Sequence, residues 1–225
     1  MSNLLSVFFS QAPLIHPGVK NEIVFDGNNY FKPGSTAGTA AKLVENTFES
    51  FQSALRPEEM RCLALVAHNR MKPAMKTFVR HQKEVLKKFR LTGTSTTMKM
   101  LRSIFDDDKD VMYGPSFKSG PLGGDAEVCA LMCREDLGAI LFFMDPLDNH
   151  PHQCDIDALI RLSNVSNVLF ATNPTSCYAL ALILEQGLKE ERKDMIPSFF
   201  HTLESPSVGI YKEEQSRHVK ILQKA

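Results

Sequence analysis

The chain has 225 residues, a formal net charge of +0 and 43% hydrophobic residues, which suits one globular domain with an appendage or two small domains. There is no basic excess to neutralise phosphates, which argues against a dedicated nucleic-acid binder. No apolar run approaches the roughly 20 residues that span a bilayer, so no membrane segment is expected. The apolar patch near the N-terminus has no basic lead and no arginine, so neither a signal nor a transit peptide is expected. The five cysteines are irregularly spaced. They read as reduced thiols and point to a cytoplasmic protein.

In chain order, residues 1–57 read as an N-terminal extension. Residues 17–40 are rich in glycine, proline and asparagine and read as turns and loop. Residues 41–55 have helical spacing, with Leu43, Val44, Phe48, Phe51 and Ala54 on one face. An α/β domain is expected over 58–190. Its first strand is the continuous apolar run 62–67, ending at His68, and a helix is expected over 71–88 with Pro73 in its first turn. A brief second strand, 89–91, runs into Thr92-Gly93-Thr94-Ser95-Thr96-Thr97, and a helix follows to Phe105. A third strand is expected over 111–118. The glycine loop Ser119 to Asp125 then leads into a helix over 124–134, and a fourth strand over 139–143. The polar loop Asp145 to Asp155, a helix over 155–165, a fifth strand over 167–171 and a helix over 175–188 complete the domain. Residues 191–225 read as a charged tail with a helix from about Lys212.

Five strands alternating with helices predict a doubly wound α/β domain, with a five-stranded parallel sheet and helices on both faces. In such sheets ligands bind beyond the carboxyl ends of the strands. Each expected strand ends in a polar cluster there: His68-Asn69, Thr92 to Thr97, Ser119 to Asp125, Asp145 to Asp155, and Thr172-Asn173.

The hydroxyl-rich run at Thr92, Thr94 and Ser95 opens a helix, where backbone N–H groups and the helix dipole hold an anion such as phosphate. Ser119-Gly120 adds a turn that allows close backbone approach, and Lys72 can supply a counter-charge. The same hydroxyls could equally cap the helix. Asp125 is open to two readings, a cap of the following helix or a cleft carboxylate able to act as general base. Asp145, before Pro146, reads as a carboxylate that pins its loop. His150, His152 and Cys154 alternate, but no second ligand cluster has zinc-site spacing, so no metal is expected. There is no GxxxxGK[ST] and no GxGxxG, so no nucleotide cofactor is expected either. A phosphate cradle, a carboxylate base and a histidine together suggest proton removal beside the carbonyl of a small phosphorylated substrate. The pattern leaves open whether isomerisation or loss of phosphate follows.

LALVAH (63–68), TGT (92–94), SGPLGGD (119–125), FFMDPL (142–147), PHQCD (151–155) and ATN (171–173) resemble methylglyoxal synthase in order and spacing. The resemblance implies a doubly wound five-stranded domain and a metal-free enzyme, usually a homohexamer. It would convert dihydroxyacetone phosphate to methylglyoxal and inorganic phosphate. It implies Asp125 as the catalytic base, His152 as the residue that polarises substrate oxygens and moves a proton, and Asp155 as a second carboxylate. It places His68, Lys72, Thr92, Thr94, Ser95, Ser119 and Gly120 at the substrate and its phosphate, and Asp145 in the loop that positions them. The chain departs from the pattern in places. Asn69 stands where the family usually has aspartate, Ser95 and Thr96 where it reads threonine and glycine, and in a longer, different tail Arg217 is a candidate for the arginine that reaches a neighbouring subunit. The alternative is a relative that keeps the fold as a phosphate- or metabolite-binding regulatory domain or a scaffold.

Overall fold

The computed structural model describes residues 50–106, 108–148 and 150–223, and the backbone of residues 24–26 and 29–32. The chain divides into two units, residues 1–45 and 46–225. In the first, β1 (Val24–Asp26) and β2 (Asn29–Lys32) pair antiparallel, in a segment that had read as loop. Residues 41–49 of the expected helix lie outside the described residues. Residues 50–55, its described remainder, are not helical.

The second unit is built on a five-stranded sheet in the order β5-β4-β3-β6-β7, every pairing parallel. Its strands are β3 (Cys62–Ala67), β4 (Leu91–Thr94), β5 (Tyr113–Phe117), β6 (Leu137–Phe143) and β7 (Leu169–Ala171). The chain winds outward from β3 through β4 to β5, then crosses back to lay β6 on the other side of β3. The direction of winding therefore reverses between β3 and β6, where an open α/β sheet leaves a crevice.

β3 and β6 are buried along their whole length, as strands covered on both faces must be. On one face Cys62, Ala64 and Val66 pack with Ile140 and Phe142 against α4 (Gly124–Cys133) and α5 (Gln153–Val165). On the other lie α1 (Lys72–His81), α2 (Lys83–Leu86), α3 (Ser95–Phe105) and α6 (Pro174–Lys189). There the Phe78 ring meets Phe143 at 5.4 Å and Tyr178 at 5.0 Å between centroids. The second strand begins later than the apolar run suggested, because the TGT triplet is itself strand. The helix expected over 71–88 is interrupted at Gln82 (φ −98°, ψ 18°), after which α2 turns Val85 and Leu86 into the core.

Beyond α6, Ile196 and Phe199 are buried, and the Ser198 hydroxyl donates to the Gly138 carbonyl at 2.6 Å. The last helix, α7 (Pro206–Leu222), starts six residues before the expected Lys212, with proline in its first turn and no buried residue. Arg217 lies on it, paired with Glu213 one turn earlier at 3.9 Å. Among the described residues no helix is long and apolar enough to cross a membrane.

Candidate active site

The crevice between β3 and β6 collects side chains from three segments. His68 directly follows β3. Asp125 lies in the first turn of α4, behind the glycine loop that follows β5. Asp145, His150 and His152 come from the loop after β6, which ends where α5 begins.

Asp125 is 1% exposed, and its Oδ2 accepts a 2.7 Å hydrogen bond from His152 Nδ1. It does not cap α4, whose N-terminus has no side-chain cap. The glycine loop makes this pair possible. A Cβ on Gly120 would sit 2.7 Å from His152 Cε1 and 2.9 Å from Asp125 Oδ2. One on Gly124 would sit 2.0 Å from the Lys118 carbonyl oxygen. Burial raises the Asp125 pKa above its ordinary 3.8. His152 pulls it down by charge and hydrogen bond, and Asp155 pushes it up. Asp155, half-buried in the first turn of α5, thus acts on Asp125 through its charge.

Asp145 is the hub of the opposite wall. Its N–H donates to His68 Nδ1 at 2.9 Å, and its carbonyl accepts from His150 Nε2 at 3.2 Å. Its carboxylate accepts the Leu147 N–H at 3.0 Å and faces Arg70 at 3.8 Å. Arg70 also reaches Asp148 at 3.8 Å, so it ties the start of α1 to the loop, a contact that sequence spacing does not signal. His68 is buried, and its pKa falls to about 4. Loss of hydration is the main cause and the neighbouring His150 and His152 add to it, while Asp145 and Asp148 oppose it. His68, His150 and His152 have ring atoms within 4.8 Å of one another. Cys154, grouped with the last two by spacing alone, is exposed on α5.

The residues expected at the anion are held differently. Lys72 Nζ donates to Asn69 Oδ1 at 2.6 Å, and no carboxylate pairs with it among the described residues. Thr92 is buried and its hydroxyl donates to the Pro115 carbonyl at 2.5 Å, joining β4 to β5. The Thr94 and Thr97 hydroxyls bond each other at 3.2 Å, so Thr94 does not cap α3. The N–H groups of the first turn of α3, including that of Ser95, therefore lack a side-chain cap. Thr96 is exposed on that turn, its β-branched side chain directed outward. Ser119 is half-buried at the head of the glycine loop, and its carbonyl accepts the N–H groups of Leu122 and Gly124.

The fold is a doubly wound α/β domain, with a buried acid–histidine pair at its switch point and an uncapped helix N-terminus after the neighbouring strand β4, the places where such folds bind metabolites. No family model matches the chain. It is similar to methylglyoxal synthase from Borrelia garinii subsp. bavariensis, with 40% identity over 111 residues, 49% of this chain and 84% of that protein. It is also similar to the methylglyoxal synthases of Agrobacterium fabrum (37% over 116 residues, 52% and 88%) and Bacillus thuringiensis (37% over 131 residues, 58% and 96%). The chain belongs to the methylglyoxal synthase family. A crystal structure of methylglyoxal synthase from Elizabethkingia anophelis aligns with a TM-score of 0.48 and 31% identity, covering 55% of this chain and 78% of that one.

Proposed function

We propose that this chain is a cytoplasmic methylglyoxal synthase, a carbon–oxygen lyase acting on dihydroxyacetone phosphate. The observation that carries the reading is the buried Asp125–His152 pair, 2.7 Å apart at the switch point. Its support from outside the chain is the name shared by the relatives.

The His152 bond occupies Asp125 Oδ2 and leaves Oδ1 to take a proton from the hydroxymethyl carbon. The electrons of that C–H bond pass to the carbonyl, giving an enediolate. His68 stabilises its oxygen by donating from Nε2, and His152, whose Nδ1–H is held by Asp125, keeps Nε2 as a proton acceptor for the neighbouring hydroxyl. The hydroxyl on the deprotonated carbon passes its proton to His152 Nε2 as its oxygen becomes the aldehyde carbonyl, the double bond shifts and the C–O bond to phosphate breaks; the enolate left behind takes that proton back on its terminal carbon and becomes methylglyoxal. The raised pKa of Asp125 brings its basicity nearer to the working pH, which favours proton abstraction. Asp155 contributes to that rise, and Asp145 positions the loop that carries the histidines.

At the other end of the substrate the phosphate sits on the first turn of α3 near Ser95, against Lys72 and the Ser119-Gly120 turn. An uncapped helix N-terminus and an unneutralised lysine are what a dianion needs. Thr92 and Thr94 shape this edge from within the sheet. The catalytic domain is residues 58–190, onto which Ile196 and Phe199 of the tail pack, assembled as a homo-oligomer, with residues 1–57 as an extension.

The test is to incubate the purified protein with dihydroxyacetone phosphate in the presence of EDTA and follow both products. Methylglyoxal and inorganic phosphate are expected in equal amounts, because none of the proposed steps uses a metal. Phosphate binding without product would instead favour the regulatory alternative.

A further inference from the structure

The main chain of Asp145 is held by an imidazole on each side. Its N–H donates to His68 Nδ1 and its carbonyl accepts from His150 Nε2. The His150 ring lies on that of His68, with centroids 3.6 Å apart and planes at 32°. Each bond fixes a tautomer. A backbone N–H only donates, so His68 Nδ1 holds a lone pair and the neutral ring carries its hydrogen on Nε2. A carbonyl only accepts, so His150 also carries its hydrogen on Nε2.

His68 is 7% exposed, and among the described residues its Nε2 has no hydrogen-bond partner. A buried donor left unpaired is destabilising. A group of this kind makes sense where the acceptor comes from outside the chain. The same tautomer bears on the three-histidine cluster. With Nδ1 taken by the Asp145 N–H and Nε2 protonated, His68 offers no lone pair to a cation, although ring atoms of all three histidines lie within 4.8 Å.

We propose that His150 is a positioning residue. Stacked on His68 and tied to the Asp145 carbonyl, it fixes His68 as an Nε2–H donor for an oxygen of the bound ligand. The proposal rests on the reading of the crevice as the site of a phosphorylated carbonyl compound. The stack supplies one face of the His68 enclosure, and the Nε2 bond holds the His150 ring in place over it. The charged and titratable groups around His68 are His150 and His152, Asp145 and Asp148, and Arg70, which reaches both carboxylates. In keeping with this enclosure, the His68 pKa lies near 4 rather than 6.5.

Two variants separate the parts of the device. His150→Phe keeps a stacked ring but loses the carbonyl bond, and His150→Ala loses both. Long-range 15N–1H NMR of the ligand-free protein reads the His68 tautomer and its titration. The wild type is expected to show the Nε2–H form with a midpoint near 4. In His150→Ala the Asp145 main chain loses its carbonyl anchor, so its N–H bond to His68 Nδ1 should loosen and a mixture of tautomers appear, with a midpoint at least one unit higher; His150→Phe should fall between. With dihydroxyacetone phosphate, the acid limb of kcat/KM against pH should move upward with the His68 midpoint, and kcat should fall about tenfold. An unchanged His68 tautomer and midpoint in His150→Ala would overturn the proposal. The NMR arm needs no turnover, so a failed activity assay of the wild type would count against the proposed reaction and leave this result readable.

Discussion

The two halves of the crevice are held in opposite ways. On the β3–β6 side the ionisable groups are interlocked with one another: Asp125 with His152, His68 and His150 with the Asp145 main chain, Asp145 with Arg70. On the β4 side the hydroxyls serve the fold, Thr92 bonding Pro115 and Thr94 bonding Thr97, while the helix N-terminus and the Lys72 charge are left over for a ligand. The difference suits the chemistry proposed for each. Proton transfer needs geometry fixed before the substrate arrives. Binding a dianion needs charge and free N–H groups that do not neutralise one another first.

If that division is right, damage to the first half acts on kcat and damage to the second on KM. The largest effect in this series is expected from Gly120→Ala. The added methyl group meets both members of the Asp125–His152 pair, and a displacement of about 1 Å at such a site costs on the order of 100-fold in rate. Steady-state kinetics should show the loss mainly in kcat, with a smaller rise in KM because the Ser119-Gly120 turn also borders the phosphate. An effect on KM alone would break the comparison.

Lys72→Ala comes next. It should raise KM for dihydroxyacetone phosphate about tenfold while leaving kcat within a factor of two or three, the loss of one charge-assisted contact. Asn69→Ala should act in the same direction and more weakly, because it frees Lys72 without removing its charge. Asn69→Asp sharpens the point. A carboxylate there would pair with Lys72 and compete with the phosphate, so inhibition by inorganic phosphate should weaken.

The remaining effect is on stability rather than on rate and belongs to the first half. His68 titrates near 4 in the folded protein against 6.5 for the free side chain. Between those values the unfolded chain binds the extra proton. The stability that His68 contributes is therefore complete above pH 6.5 and is lost as the pH falls towards 4, with a ceiling of about 3 kcal/mol. His81, whose pKa burial also lowers, adds in the same sense. Denaturant unfolding at several pH values should show the slope in the wild type and a flatter one in His68→Asn.

Much of the sheet is legible in the sequence because β3 and β6 are continuous apolar runs, and each strand end is marked by a polar cluster. Local chemistry that competes with periodicity is harder to read. The threonines of TGT are strand residues that also suit a helix cap, so β4 was displaced toward its N-terminal side. The Asp26-Gly27 turn signal between β1 and β2 was hidden among other glycines. Ile196 and Phe199 are core residues without a periodic stripe, scattered among charges. The site residues can be named from their motifs, but their partnerships cannot. The clasp of Asp145 on His68 and His150 joins residues 77 and 5 positions apart, and its content is a choice of tautomer that no spacing encodes. Thr92 and Asn69 likewise show their roles only through the groups they meet.

The central claim is that Asp125, held by His152, removes the substrate proton. Its most direct test is Asp125→Asn, which keeps the shape of the buried pair and removes the base. Turnover of dihydroxyacetone phosphate should fall by about 10²–10⁴-fold, the usual contribution of a positioned general base, while binding of a non-reacting phosphate analogue stays within a few fold of the wild type. Methylglyoxal production at the wild-type rate by Asp125→Asn would contradict the account.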